Sequence, residues 1–152
     1  YKIPLNILLA TEGFFTISIE YRLSHKAKFP AQIEDCKAAI RWLKAHADEY
    51  NIDPNRIGVW GHSAGGHLAA LVGTSAHVKE LEGEVDGLDF SSSVQAVVDC
   101  CGPTDFSKID KWIDCSDSPT TMLIGGVVRN TIDKVRLANP ITHVTRETYY
   151  PW

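Results

Sequence analysis

The sequence predicts an α/β protein: a mainly parallel sheet flanked by helices in a three-layer α/β/α arrangement. Two observations predict it. Short apolar, β-branched runs at residues 14–21, 57–60 and 94–101 alternate with stretches of helical periodicity, the pattern of βαβ units with a parallel sheet. The second run leads into Gly61-His-Ser-Ala-Gly65, a G-x-S-x-G sequence between a strand-type and a small-residue helical segment.

The elements follow in order. Residues 14–21, Phe-Phe-Thr-Ile-Ser-Ile-Glu-Tyr, are aromatic and β-branched and are bounded by Gly13 and by Arg22-Leu-Ser24, which predicts a strand. Phe29-Pro30 opens a helix, since proline lacks an N–H that the first turn leaves unbonded anyway. Ile33, Cys36, Ile40, Leu43 and Ala47 recur at steps of three and four and give that helix one apolar face. Lys37, Arg41 and Lys44 lie off the stripe. The turn cluster at residues 51–55 ends it. Arg56 leads into the second strand, the G-x-S-x-G turn, and a helix to about Gly73. Residues 78–93, rich in Gly, Glu, Asp and Ser, read as a loop. The third strand, 94–101, is stopped by Gly102-Pro103. Beyond it the pattern is irregular. It holds a loop at 114–119, a short helix ending at Gly125-Gly126, and a helical turn from Asp133 to Ala138 closed by Asn139-Pro140. With no repeat, low-complexity tract or linker, residues 1–152 read as a single domain.

Composition narrows the function classes. Hydrophobic residues at 44% and charged residues at 22% suit a globular protein. A formal charge of -4 and no basic cluster argue against nucleic-acid binding, and no apolar run is long enough to cross a membrane. The first ten residues lack the features of a signal peptide, which leaves the compartment undetermined. Cys36, Cys100, Cys101 and Cys115 show no C-x-x-C spacing. They read as buried or free thiols, with a disulfide from Cys115 to Cys100 or Cys101 as the alternative for an exported protein. No Cys/His quartet has zinc-ligand spacing.

The G-x-S-x-G sequence carries the chemistry. A serine on a tight strand-to-helix turn has its Oγ pushed out above the sheet, so Ser63 is the candidate nucleophile. Gly61 and Gly65 flank it where side chains are expected to collide with the neighbouring strand and helix. The Ala64 N–H, at the positive end of the helix dipole, is placed to hold an oxyanion. Serine acyl transfer needs no cofactor, and none is implied. A base is harder to find. His62 precedes the nucleophile, with its side chain expected to point away from Ser63. His67 lies on the following helix and is expected to pack against or hydrogen-bond a neighbouring loop. His25, after the first strand, reads as a loop residue on the catalytic side; His46, His77 and His143 read as solvent-facing or capping. Asp105 follows the third strand on the catalytic side, where capping a starting helix is its ordinary role. Asp99, inside the strand, is expected to pair with a neighbour. Trp112 and the Cys115 loop are read as a surface loop or a pocket wall.

The ordered set Tyr21-Arg-Leu-Ser24, Lys28-Phe-Pro-Ala-Gln-Ile33, Asp35-Cys-Lys-Ala-Ala-Ile-Arg-Trp-Leu43, Ile52-Asp-Pro-Asn-Arg-Ile57, Gly58-Val-Trp-Gly-His-Ser-Ala-Gly-Gly-His-Leu68, Cys101-Gly-Pro-Thr-Asp-Phe106 and Ala138-Asn-Pro-Ile-Thr142 resembles the α/β-hydrolase esterases. The match is to their acetyl xylan/feruloyl esterase-like (BD-FAE-like) branch, near the hormone-sensitive-lipase type, and runs from roughly Leu8 to Val144. It implies a partial α/β-hydrolase fold with Ser63 as nucleophile. The departures are as informative. The His-Gly-Gly-Gly-type oxyanion motif that precedes the first strand in that family is absent from residues 1–13. On the family's order the acid and the base lie on strands and loops beyond Trp152. The resemblance therefore implies a central fragment of a larger hydrolase, or a truncated gene product.

The functional expectation is a serine carboxylic-ester hydrolase acting on acetyl or feruloyl-type esters of plant polysaccharide, or on small esters. The alternatives are a noncatalytic remnant or binding module, and an amide-cleaving relative of the arylformamidase or peptidase kind. Sheet edges lacking their neighbours would make the chain self-associate.

Overall fold

The computed structural model describes residues 5–84, 90–109 and 115–146. In chain order its principal elements are α1 (Leu5–Thr11), α2 (Ala31–Ala45), α3 (Ala47–Tyr50), β1 (Gly58–His62), α4 (Ala64–Thr74), β2 (Ala96–Cys100), α5 (Pro119–Ile124) and α6 (Ile132–Ala138), with short 3-10 turns between them. Trp112 lies outside the described residues.

β1 and β2 form a parallel ladder, running from Gly58 opposite Ala96 to His62 opposite Cys100. A parallel pair needs a long crossover, and α4 with the loop after it supplies one. α4 lies directly on both strands. A Cβ on Gly73 would meet Val97 Cγ2 at 2.5 Å. Alternation along the strands sets the two faces. Val59 joins the core beneath α4, while Trp60 and Val98 turn the other way and are 49% and 48% exposed. The α/β class holds, and among the described residues α4, with α2 alongside it, covers one face of the sheet.

The core lies between α2 and α4. Ile33, Cys36 and Ile40 of α2 meet Leu68, Leu71 and Val72 of α4, closed by Phe29, Leu81, Phe106, Ile124 and Val135. The stripe read from the sequence is this buried face; Leu43 and Ala47 are buried too. Burial pushes the Cys36 thiol up to about 12, so it stays protonated and packs as an apolar side chain. All four cysteines are free. Asn51 ends the helical region in the left-handed conformation, φ 53°. Ser118 caps α5 by accepting from Thr121 N–H, and Gly125 closes it at φ 82°.

One expectation changes, the strand at residues 14–21. Among the described residues the segment belongs to no ladder, and Phe14, Phe15, Ile17 and Ile19 are exposed. Its composition suits a pleated surface, but a strand is a property of a pair, and no described residue offers it a ladder partner. It is held at its start by the Phe14 N–H bond to Leu9 O and the Thr16 hydroxyl bond to Asn6 O, both 3.1 Å, and by Phe15 against the Tyr50 ring. Its far end is tied to α2. Asp35 accepts from the Arg22 backbone N–H at 2.8 Å and from Arg22 Nε at 2.9 Å, and Gln32 Nε2 donates to Arg22 O at 2.8 Å. These bonds tie residue 22 to the first turns of α2.

The side of α2 off the apolar stripe is covered as well: Lys37, Arg41 and Lys44 are buried. Lys37 Nζ donates to Ser75 O (2.8 Å) and Glu82 Oε1 (2.7 Å). Arg41 grips Glu82 through Nη1–Oε2 (2.6 Å) and Nη2–O (2.8 Å). Lys44 Nζ donates to Ser93 O at 2.6 Å, and Ser92 Oγ adds a bond to Glu82 Oε1 at 2.9 Å. Residues 75–84 and 90–93 lie against α2, and Glu82 brings one carboxylate to two cations. Periodicity within α2 cannot reveal a covering loop.

Glu82→Ala is expected to destabilise the fold by about 3–5 kcal/mol, because Lys37 and Arg41 would stay buried without their carboxylate. Urea denaturation of the variant against wild type measures it; a loss under about 1 kcal/mol, as for an exposed pair, would contradict the buried clamp.

Candidate active site

Ser63 stands between the last residue of β1 and the first of α4, with φ 54° and ψ −117°. A non-glycine residue here is strained, by about 1–3 kcal/mol, and persists only where its surroundings hold it. Three contacts do so. The Ser63 N–H donates to Cys100 O at 2.8 Å, and Ser63 O accepts the His67 N–H at 3.0 Å. The third is steric: a Cβ on Gly61 would run into the carbonyl of Gly65. The sharp turn therefore requires a glycine two residues before the serine.

The expectation that Gly65 is equally crowded is not met. Nothing lies within 4 Å of a Cβ built there, because the position faces open space from the first turn of α4. The crowded helical glycine is the next one. A Cβ on Gly66 would strike Asp99 Oδ1 and lie 3.0 Å from Gly102 N. Gly102 is pressed in turn against the backbone of Gly66 and His67. The Gly65-Gly66 doublet and the Gly102-Pro103 stop were visible signals of this contact, but only the packing says which glycine is needed.

Ser63 and Ala64 are exposed at the carboxyl end of β1. The serine does not cap α4 with its side chain, and the first turn of α4 carries no acidic residue. The Ala64 N–H has no intrahelical carbonyl to bond, so it is an available donor at the positive end of the helix. The site thus presents a hydroxyl and an adjacent amide to the same solvent-facing end of the sheet, the arrangement needed to attack a carbonyl and hold the resulting oxyanion.

No histidine is hydrogen-bonded to Ser63 Oγ among the described residues. His62, His25 and His77 are exposed. His46 Nδ1 bonds Trp42 O at 2.8 Å, and its ring stacks on Trp42. His143 is buried rather than solvent-facing, because the 3-10 turn Pro140–His143 folds its ring inward to bond Leu137 O at 2.9 Å. His67 is buried as well. Its Nδ1 bonds Pro103 O at 2.9 Å, its ring lies 4.8 Å from Phe106, and its Nε2 has no partner. Burial lowers its basicity, opposed by the Pro103 bond and the charge of Asp99. The aspartates are committed elsewhere. Asp99 Oδ1 accepts from Gly102 N–H at 2.7 Å. Asp105 caps the Phe106–Lys108 turn through Ser107 N–H, and its bond from the Ser107 hydroxyl, aided by Lys108, keeps its carboxyl below the usual range.

The sequence matches the BD-FAE family over residues 3–150. The chain belongs to the BD-FAE family. Esterase LipC of Mycobacterium tuberculosis is 38% identical over 147 residues, covering 91% of this chain and 34% of LipC. A solved bifunctional GH43-CE protein of Bacteroides eggerthii superposes with a TM-score of 0.78 at 44% identity, over 84% of this chain and 18% of that one. The acetyl ester-xyloside bifunctional hydrolase of Caldicellulosiruptor lactoaceticus gives 0.66 at 29% identity, over 85% of this chain and 44% of that one. This BD-FAE chain thus spans about a third of the curated relatives LipC and LipM. The family is one of carboxylic-ester hydrolases by its named members, and the fold is that of an α/β-hydrolase esterase.

The two glycines flanking the nucleophile should separate cleanly. Gly61→Ala is expected to cost about 2–3 kcal/mol or more through backbone collision, whereas Gly65→Ala should stay within about 1 kcal/mol of wild type. Chemical denaturation of both variants decides it, and equal costs would mean the turn is packed differently.

Proposed function

We propose that the protein is a serine esterase that removes acetyl or feruloyl-type groups from plant polysaccharide or small esters, by an acyl-enzyme mechanism. The observation that carries the reading is the strained, exposed Ser63 held at the end of β1 with the free Ala64 N–H beside it. Ser63 Oγ attacks the ester carbonyl, the oxyanion is held by Ala64 N–H, and the alcohol leaves with a proton. Water then attacks the acyl-serine and releases the carboxylic acid. A hydroxyl needs a base to do this, and the described residues bring no imidazole to Ser63. The base and its acid partner therefore come from polypeptide outside the described residues. The substrate class is supported by the names of the relatives, one an acetyl ester-xyloside hydrolase.

In the full-length protein, Ser63→Ala is expected to lower kcat for p-nitrophenyl acetate by about 10³-fold or more. The 152-residue chain by itself should show no Ser63-dependent turnover. Turnover by that chain that vanishes on mutation would mean a base within these residues, with His25 the first to test. Formyl-aryl amide hydrolysis exceeding that of acetyl and feruloyl esters would overturn the substrate class.

The 152-residue chain is also proposed to self-associate through its sheet edges and the exposed face bearing Trp60 and Val98. Light scattering after size exclusion should show oligomers; a monodisperse monomer with a cooperative melt would count against this.

A further inference from the structure

We infer that His67 is a positioning residue: it holds the turn leaving β2, residues 101–105, against the first turn of α4 and thereby keeps Ser63 and Ala64 aimed at the substrate. The inference rests on the esterase reading of Ser63 and adds a residue to that site.

The argument begins with a second strained residue. Cys101 has φ 59°, and it follows Cys100 as Ser63 follows His62, the two preceding residues being paired across the ladder. Two neighbouring strands thus end in two adjacent left-handed residues, joined by the Ser63 N–H bond to Cys100 O. Neither conformation is stable by itself, so the two turns must be held by what surrounds them.

The surroundings consist of α4 and the β2 exit in backbone contact. Gly66 and Gly102 allow the approach, and Asp99 Oδ1 fixes the Gly102 N–H. Steric fit permits this arrangement but does not hold it closed. Among the described residues, one side-chain hydrogen bond spans α4 and the turn, from His67 Nδ1 to Pro103 O. The ring that makes it is 2% exposed and packs on Phe106, whose N–H is in turn fixed by Asn139 Oδ1 at 2.9 Å. Asn139 Nδ2 also reaches Asp105 Oδ1 at 2.9 Å, so the far end of the turn is anchored to the Pro140–His143 segment. His67 closes the near end.

The chemistry of the ring supports the assignment. A carbonyl can only accept, so Nδ1 carries the proton and Nε2 is left as a buried acceptor without a partner. An apolar side chain would fill the same space without an orphaned nitrogen. What the histidine adds is the Nδ1–H bond, four residues after the nucleophile whose carbonyl accepts the His67 N–H.

The test uses the full-length protein. His67→Leu keeps the volume and loses the bond. It is expected to lower kcat for p-nitrophenyl acetate by about 10- to 100-fold with KM little changed, as for misplacement of a reacting group. In His67→Asn the side-chain amide stands near the position of Nδ1, and it should restore kcat to within about threefold of wild type. Equal loss in both variants, or kcat per folded molecule unchanged in His67→Leu despite a lower Tm, would show a merely structural histidine and overturn the inference. An independent readout covers a variant that fails to fold. The imidazole ¹⁵N shifts of wild-type His67 should report the neutral Nδ1–H tautomer, and an Nε2–H tautomer would overturn the bond itself. Wild-type protein without Ser63-dependent turnover would remove the esterase reading and this inference with it, an outcome distinct from the others.

Discussion

The amide of Ser63 bonded to the carbonyl of Cys100 is the interaction on which the rest of the site depends. It continues the β1–β2 ladder by one step, at the point where β1 stops being a strand. Because that bond is made, the chain must turn within one residue, and Ser63 takes a positive φ. The turn brings the first turn of α4 back over the end of β1, which is why a side chain at position 61 has no room. The same turn leaves the serine hydroxyl and the Ala64 amide exposed side by side. The exposed hydroxyl, the exposed amide and the glycine requirement thus share one geometric cause.

The strain is supported from below. α4 rests on both strands and on α2, and its buried residues Leu68, Leu71 and Val72 belong to the main core. α2 is fixed in turn by two polar devices. Arg22 and Gln32 link it to the end of the segment before it. Lys37 and Arg41 hold Glu82 and the loop that follows α4. Burying two cations against one carboxylate stabilises little compared with apolar packing, but it specifies which loop lies where. Rigid placement of α4 is what a pre-organised amide at its N-terminus requires.

The fold class and the sharp turn at Ser63 were largely legible in the chain. Ile33, Cys36 and Ile40 announced a buried helix face by their spacing, and Asn51 announced its end by its tolerance of a left-handed backbone. Gly61 and Ser63 announced the elbow, because few sequences other than G-x-S-x-G can make that turn. The partners of the serine were not legible, and the structure shows several candidates engaged elsewhere. His67 and His143 each give one ring nitrogen to a backbone carbonyl, and Asp99 and Asp105 accept from backbone amides. Side-chain type does not reveal which nearby carbonyl or amide will claim it.

The sequence by itself determined what depends on neighbours a few residues away: helix faces, caps, turns, and the strand–serine–helix transition. Tertiary structure alone decided what depends on residues far apart. The aromatic, β-branched run at 14–21 has strand composition yet joins no ladder among the described residues, since pairing needs another segment's backbone. Lys37, Arg41 and Lys44 lie off the apolar stripe of their helix and are buried by partners more than forty residues later. Gly66 rather than Gly65 is the crowded position because the contacts come from Asp99 on the neighbouring strand and Gly102 just beyond it. The physical reason is the same in each case. Local propensity is carried by one stretch of backbone, whereas burial, pairing and close approach are shared between two.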